Sequence, residues 1–174
     1  RVVLSNSDIE KKEVLKNLLN IYLLKDIKDL IQIIDETQMY KLLKLLSTQI
    51  GNMVVYEEIG SLTQITAQKL KNYLSILEKA FLIKLIQPFF TNKRSEIVKN
   101  PKLYFIDIGL RNILINDFKA IENRTDKGAI FENFIFSELI NRELEIKYYR
   151  TKSQAEIDFI VNDKITVEVK SLIT

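Results

Sequence analysis

Through the first half of the chain apolar residues recur at helical spacing, and through its last part they fall at alternate positions. Ile9, Val14, Leu18, Ile21 and Tyr22, then Ile27, Leu30, Ile31 and Ile34, predict helical packing material over residues 8 to 34. A further helix is expected from Thr37 to Ile50 on a Met39, Leu42, Leu43, Leu46 stripe, ended by Gly51-Asn52. VVYEEIGSLTQ supplies a short helix and a turn. Thr66 then caps TAQKLKNYLSILEKAF, whose Leu70, Leu74, Leu77 and Phe81 form one stripe and whose Gln68, Lys69, Lys71, Asn72 and Ser75 form the opposite, polar face. FLIKLIQPFF and KLYFID read as two strands joined by the polar connector TNKRSEIVKNP. Helices followed by a hairpin with a basic loop make the winged-helix order.

YFIDIGLRNILI closes the hairpin and enters a short helix through Gly109, with Asp107 as its cap or as a partner for Arg111. The polar stretch NDFKAIENRTDK, residues 116 to 127, marks a boundary between a module over 1–120 and a second over 121–174. The second module opens on the helix GAIFENFIFSELINREL. At about 100° per residue Glu132 falls among Ile135, Phe136 and Leu139, inside the apolar sector, so its carboxylate requires a metal, a Lys or an Arg. Glu138 lies at the sector's edge, within reach of solvent.

IKYYR reads as a first strand, with residues 155–161 and 165–171 as the second and third. Strict alternation puts Ile157, Phe159 and Val161 on one face and Glu156 and Asp158 on the other; Ile165, Val167 and Val169 likewise oppose Thr166, Glu168 and Lys170. A three-residue Asn162-Asp163-Lys164 loop pairs Val161 with Ile165, Asp158 with Glu168 and Glu156 with Lys170, keeping the apolar faces together. A two-residue loop would mix them.

Composition narrows the chemistry. The chain has 174 residues and neither Cys nor His, which removes disulfides, thiolate zinc sites and the commonest general base. No apolar run approaches the roughly 20 residues needed to cross a bilayer. A cytoplasmic location without membrane insertion is expected. The first residue is Arg and nothing resembles a signal peptide, so an upstream segment is expected. The net charge is +3, yet residues 37–120 carry 12 basic against 6 acidic side chains. That basic middle makes Lys69, Lys71, Lys93, Arg94 and Lys99 candidate phosphate contacts, with DNA as the expected partner. Winged helices also serve as protein-interaction modules, so a protein partner is the alternative.

Asp158 facing Glu168 would be repulsive without an intervening cation, and Mg²⁺ or Mn²⁺ suits an all-oxygen pair. Lys170 could then stabilise developing phosphate charge. The competing reading is an amphipathic hairpin whose charges face water.

The order Glu132, then Asp158 in IDFIV, then Glu168 and Lys170 in VEVKS resembles the PD-(D/E)XK nuclease core. With LSILEKAFLIKLIQPF, NPKLYFIDIGLRN, GAIFENFIFSEL and YYRTKSQAEIDFIV, the chain from about residue 10 to 174 resembles the DUF4143 region, found at the C-terminus of AAA-type ATP-binding proteins. The resemblance implies an α/β (α+β) fold: a winged helix followed by a restriction-endonuclease-like module that stops short of a full core. It implies Asp158 and Glu168 as metal ligands, Lys170 as the catalytic lysine and Glu132 as the supporting helix carboxylate. It also implies DNA engagement, with phosphodiester hydrolysis as its sharp form and a non-catalytic docking module as the alternative. Because the chain lacks G-x-x-x-x-G-K-[ST], ATP belongs to an upstream module.

Overall fold

The protein is described by a computed structural model over residues 7–21, 36–90, 99–151, 153 and 155–170. In chain order the helices are α1 (Asp8–Ile21), α2 (Glu36–Ser47), α3 (Tyr56–Thr63) and α4 (Ala67–Lys79). The hairpin β1 (Ile83–Ile86) and β2 (Lys102–Phe105) follows, then α5 (Ile108–Ile115) and a 3₁₀ turn (Ile121–Asn123). The chain ends with α6 (Lys127–Ile140), β3 (Ile146–Arg150), β4 (Glu156–Val161) and β5 (Ile165–Val167). This is an α+β fold. Residues 22–35 of the long helical stretch expected at the start lie outside the described residues, as do Lys93 and Arg94.

The helix ends follow from local chemistry. Gly51 adopts φ +75°, the left-handed geometry that turns the chain after α2. Thr66 caps α4 through a bond from the Lys69 amide, and Asp107 caps α5 by accepting the Leu110 amide at 2.8 Å. Arg111 is therefore left to other partners. Phe81 departs from its expected place on the α4 stripe. The amides of Phe81 and Leu82 close on Glu78 and Leu77 with Phe81 at φ 54°, a Schellman closure that stops α4 at Lys79 and leaves Phe81 exposed.

The first core packs Leu42, Leu43 and Leu46 of α2 with Leu70, Leu74 and Leu77 of α4 and Ile83 of the hairpin. Residues 51–54 run beside β2 through bonds between Gly51 and Leu103, Leu103 and Asn52, and Val54 and Pro101. The antiparallel pairing of Ile83 to Phe105 and Ile86 to Lys102 holds the other edge of β2, so the strand is bonded on both sides. A second core joins Ile86 and Tyr104 of the hairpin to Phe136 of α6, Tyr148 of β3, and Phe159 and Val161 of β4. Tyr104 stacks on Phe136 with ring centres 4.6 Å apart.

The sheets are ordered β1-β2 and β3-β4-β5. A parallel bridge between Pro88 and Tyr148 links them: the Phe89 amide donates to Tyr148 at 2.6 Å and the Tyr148 amide to Gln87 at 3.1 Å. The connector after α5 is also tied down. Arg111 donates to the Ser47 carbonyl and meets Asp126, which Arg124 also grips through two nitrogens. These hydrogen bonds, those of Arg124 first, hold the Asp126 carboxyl well below the usual range against the opposing effect of burial.

The β4–β5 turn uses three residues, with Val161 paired to Ile165 and Phe159 to Val167. Asn162 and Asp163 both take positive φ, and the Lys164 amide donates to the Val161 carbonyl across them at 3.1 Å, the pair of left-handed residues that a type I′ turn requires. Pairing with β3 departs from strict alternation. Lys147 faces Ile160 but Tyr149 faces Ile157, so Asp158 and Phe159 together oppose Tyr148. This β-bulge changes which side chains share a face.

Candidate functional site

Glu132 projects from α6 toward β2, where the sequence places Lys102 and Tyr104 two residues apart and hence on one face. The Lys102 ammonium donates to Glu132 Oε1 at 3.0 Å, and the Tyr104 hydroxyl donates to the same oxygen at 2.5 Å. The Lys102 side chain, 2% exposed, also pairs with Glu156 Oε1 of β4 and lies 5.7 Å from the centre of the Tyr148 ring. Glu156 Oε2 lies 3.5 Å from Arg150 on β3. A lysine amid two carboxylates and two tyrosines thus joins three elements distant in sequence.

The bulge makes this cluster possible. Glu156 and Phe159, three residues apart, both reach β2, Glu156 through Lys102 and Phe159 through Tyr104. Ile157 and Ile160 line the other side, in a 560 Å³ concavity with Phe89, Tyr149 and Arg150. The alternation expected from sequence grouped Ile157 with Phe159 and set Glu156 across from Lys170. One extra residue in the ladder turns Glu156 inward instead.

Electrostatics follow the geometry. Burial pushes the Glu132 carboxyl above its ordinary value, opposed by the Lys102 charge and by the bonds from Tyr104 and Lys102, and reinforced by the Asp158 charge. Burial, followed by the Glu132 charge, raises the Tyr104 phenol well above its usual range, so Tyr104 serves as a donor. Burial and the Glu156 charge raise the Tyr148 phenol to about 12.

Of the residues singled out in the sequence, Asp158 comes near enough to Glu132 for its charge to act on the Glu132 carboxyl. Asp158 Oδ2 accepts the Val169 amide at 2.7 Å, so it holds the chain that follows β5. The ladder ends at Val167; Glu168 and Lys170 are exposed beyond it, and their charged ends are 3.2 Å apart. Among the described residues no three Asp or Glu side chains are grouped to hold a metal. Of the two carboxylates expected to share a divalent ion, Asp158 accepts the Val169 amide and Glu168 lies beside the Lys170 ammonium, while Glu132 Oε1, expected to support them, accepts from Lys102 and Tyr104. Lys69, Lys71 and Lys99 are exposed, and Lys71 lies 5.5 Å from the centre of the Tyr56 ring.

Sequence reasoning required a cation for Glu132 but did not identify Lys102. The available signal was a lysine two residues from a tyrosine in a strand otherwise apolar. It also passed over Asn133, which is fully buried and bonds both the amide and the carbonyl of Phe105.

A family model for a domain of unknown function, DUF8612, matches residues 1–121. The chain belongs to the DUF8612 family. A second model of unknown function, DUF4143, matches residues 127–174. The DUF4143 likeness is thus found on the α6–β5 part, while DUF8612 covers the α1–α5 part that the sequence resemblance had included. Beyond the family, the chain is 28% identical over 115 residues to uncharacterized protein Mb2031c of Mycobacterium bovis and, equally, to uncharacterized protein Rv2008c of Mycobacterium tuberculosis. Each alignment covers 64% of this DUF8612 chain and 26% of the relative, so the chain spans about a quarter of those proteins. No solved structure matches it.

Proposed function

We propose that this chain is a DNA-engaging module, with α3 and α4 forming a helix-turn-helix and the α6–β5 part serving as its non-catalytic frame. The observation that carries the reading is the outward face of α4. After a turn whose Gln64 is left-handed, Gln68, Lys69, Lys71, Asn72 and Ser75 are all exposed, with no carboxylate among them. Lysines there suit phosphates, and Gln or Asn suits base edges in the major groove. Lys99, exposed beside the hairpin, would add a backbone contact.

The resemblance to the C-terminal parts of AAA-type ATP-binding proteins supports a role in bringing such an ATPase to DNA, with ATP handled elsewhere in the protein. The absence of Cys fits a cytoplasmic setting. Among the described residues no helix is long and apolar enough to cross a membrane.

The test is a salt titration of binding to a 30-base-pair duplex followed by fluorescence anisotropy. Affinity should fall linearly with salt on logarithmic axes, and replacing Lys69 and Lys71 by Ala should make the slope shallower by about 1–2. Binding that is absent or indifferent to salt would favour a protein partner. Mg²⁺-dependent cleavage through Asp158, Glu168, Lys170 and Glu132 is the competing reading. Plasmid incubated with the chain and Mg²⁺ should stay intact; cleavage abolished by Asp158→Ala would replace the proposal with a nuclease.

A further inference from the structure

The Lys102 ammonium has three N–H donors and almost no contact with water. Glu132 and Glu156 each accept from it, and the Tyr148 ring lies on its remaining surroundings. A buried ammonium persists only when its lost hydration is replaced in this way. Tyr104 completes Glu132 Oε1 from a second direction. The acidic pocket is therefore neutralised by groups of the chain itself.

A divalent ion at the same oxygens would face two obstacles. Mg²⁺ demands near-octahedral oxygen ligation, whereas Glu132 already accepts two donors and the Glu168 side chain is more than half exposed beside Lys170. A second cation beside Lys102 would also meet a fixed positive charge in a poorly solvated place.

We infer that Lys102 is the resident cation of the Glu132–Glu156 site, standing in place of a metal and fastening α6 and β4 to β2. This inference does not depend on DNA engagement. It assigns the acidic cluster the work of joining the DUF8612 and DUF4143 segments, because Lys102 comes from the first and both carboxylates from the second.

The experiment compares the full chain with Lys102→Met and with the triple variant Lys102→Met, Glu132→Gln, Glu156→Gln, by thermal unfolding in MnCl₂ or EDTA and by electron paramagnetic resonance of free Mn²⁺. The wild-type chain should take up no Mn²⁺ at millimolar concentration and melt at the same temperature in both buffers. Lys102→Met strands two carboxylates and should lower Tm by roughly 10 °C or more, whereas the triple variant should regain at least half of that loss. If Lys102→Met does not fold, folding of the triple variant still reads the charge balance. Stoichiometric Mn²⁺ on the wild-type chain that disappears in Glu132→Gln would overturn the inference. So would a triple variant no more stable than Lys102→Met, since the lysine stem rather than its charge would then matter. Neither readout involves DNA, so failure here is distinguishable from failure of the proposed function.

Discussion

Asn133 and Phe105 are joined twice: the Phe105 amide donates to Asn133 Oδ1 at 2.9 Å, and Asn133 Nδ2 donates to the Phe105 carbonyl at 2.8 Å. A helix side chain thus satisfies both backbone groups of one residue on β2, on its side away from β1. Leucine would fill similar space but leave both groups buried and unpaired. Asn133→Leu should destabilise the fold by roughly 2–5 kcal/mol, measured by urea unfolding. A loss below 1 kcal/mol would mean that the two backbone groups find other partners.

Tyr104→Phe removes only the hydroxyl that reaches Glu132. The ring stacked on Phe136 stays, so packing is preserved and the change isolates one hydrogen bond to a carboxylate. A loss of roughly 1.5–3 kcal/mol is expected from the same unfolding measurement. An unchanged midpoint would show that the Glu132 oxygen is held by Lys102 alone.

Gly51 serves the turn after α2 and the acidic cluster at once. Its φ of +75° is strained for any residue with a side chain, and a Cβ there would lie 3.2 Å from Glu132 Oε2. Gly51→Ala should therefore cost about 1–2 kcal/mol of stability. An increase in stability would place the turn in another conformation.

Stability should fall in acid through Asp126. Its folded-state carboxyl is held well below its usual 3.8, so its stabilisation is complete above that value and is lost as pH falls further. Glu132 acts in the opposite sense. Its carboxyl lies above the usual 4.5, so its contribution is full below that value and fades as pH rises through the folded-state value. Between pH 5 and pH 2 the midpoint of urea unfolding should drop in the wild-type chain and drop less in Asp126→Asn. Parallel curves for the two proteins would assign the acid loss to other groups.

Elements with a strong local signature were legible from sequence: the Thr66 cap, the α4 stripe through Leu77, and the three-residue turn that pairs Val161 with Ile165. The demand of Glu132 for a cation was legible too, because a carboxylate in an apolar helix sector carries its cost wherever the chain goes. Lys102 was not, since a lysine in a short strand looks like any solvated edge residue until a helix 30 positions later covers it. Phe81 continued the stripe by spacing alone, but a left-handed closure ended the helix first. The bulge at Asp158 and Phe159 left no mark in the alternation of β4, and so Glu156 meets Lys102 where Lys170 was expected opposite it.

The bonds that Tyr148 makes to Gln87 and Phe89 cross from one family segment to the other. A cut in the connector between residues 121 and 127 would therefore not release two finished pieces. One fragment would keep a hairpin extension with its Gln87 and Phe89 backbone groups unpaired; the other would keep β3 as a bare edge beside Phe136 and Phe159. Bare edges of that kind recruit foreign strands, so either half made alone should be prone to aggregation, and the pair should behave as one unit of production and of turnover.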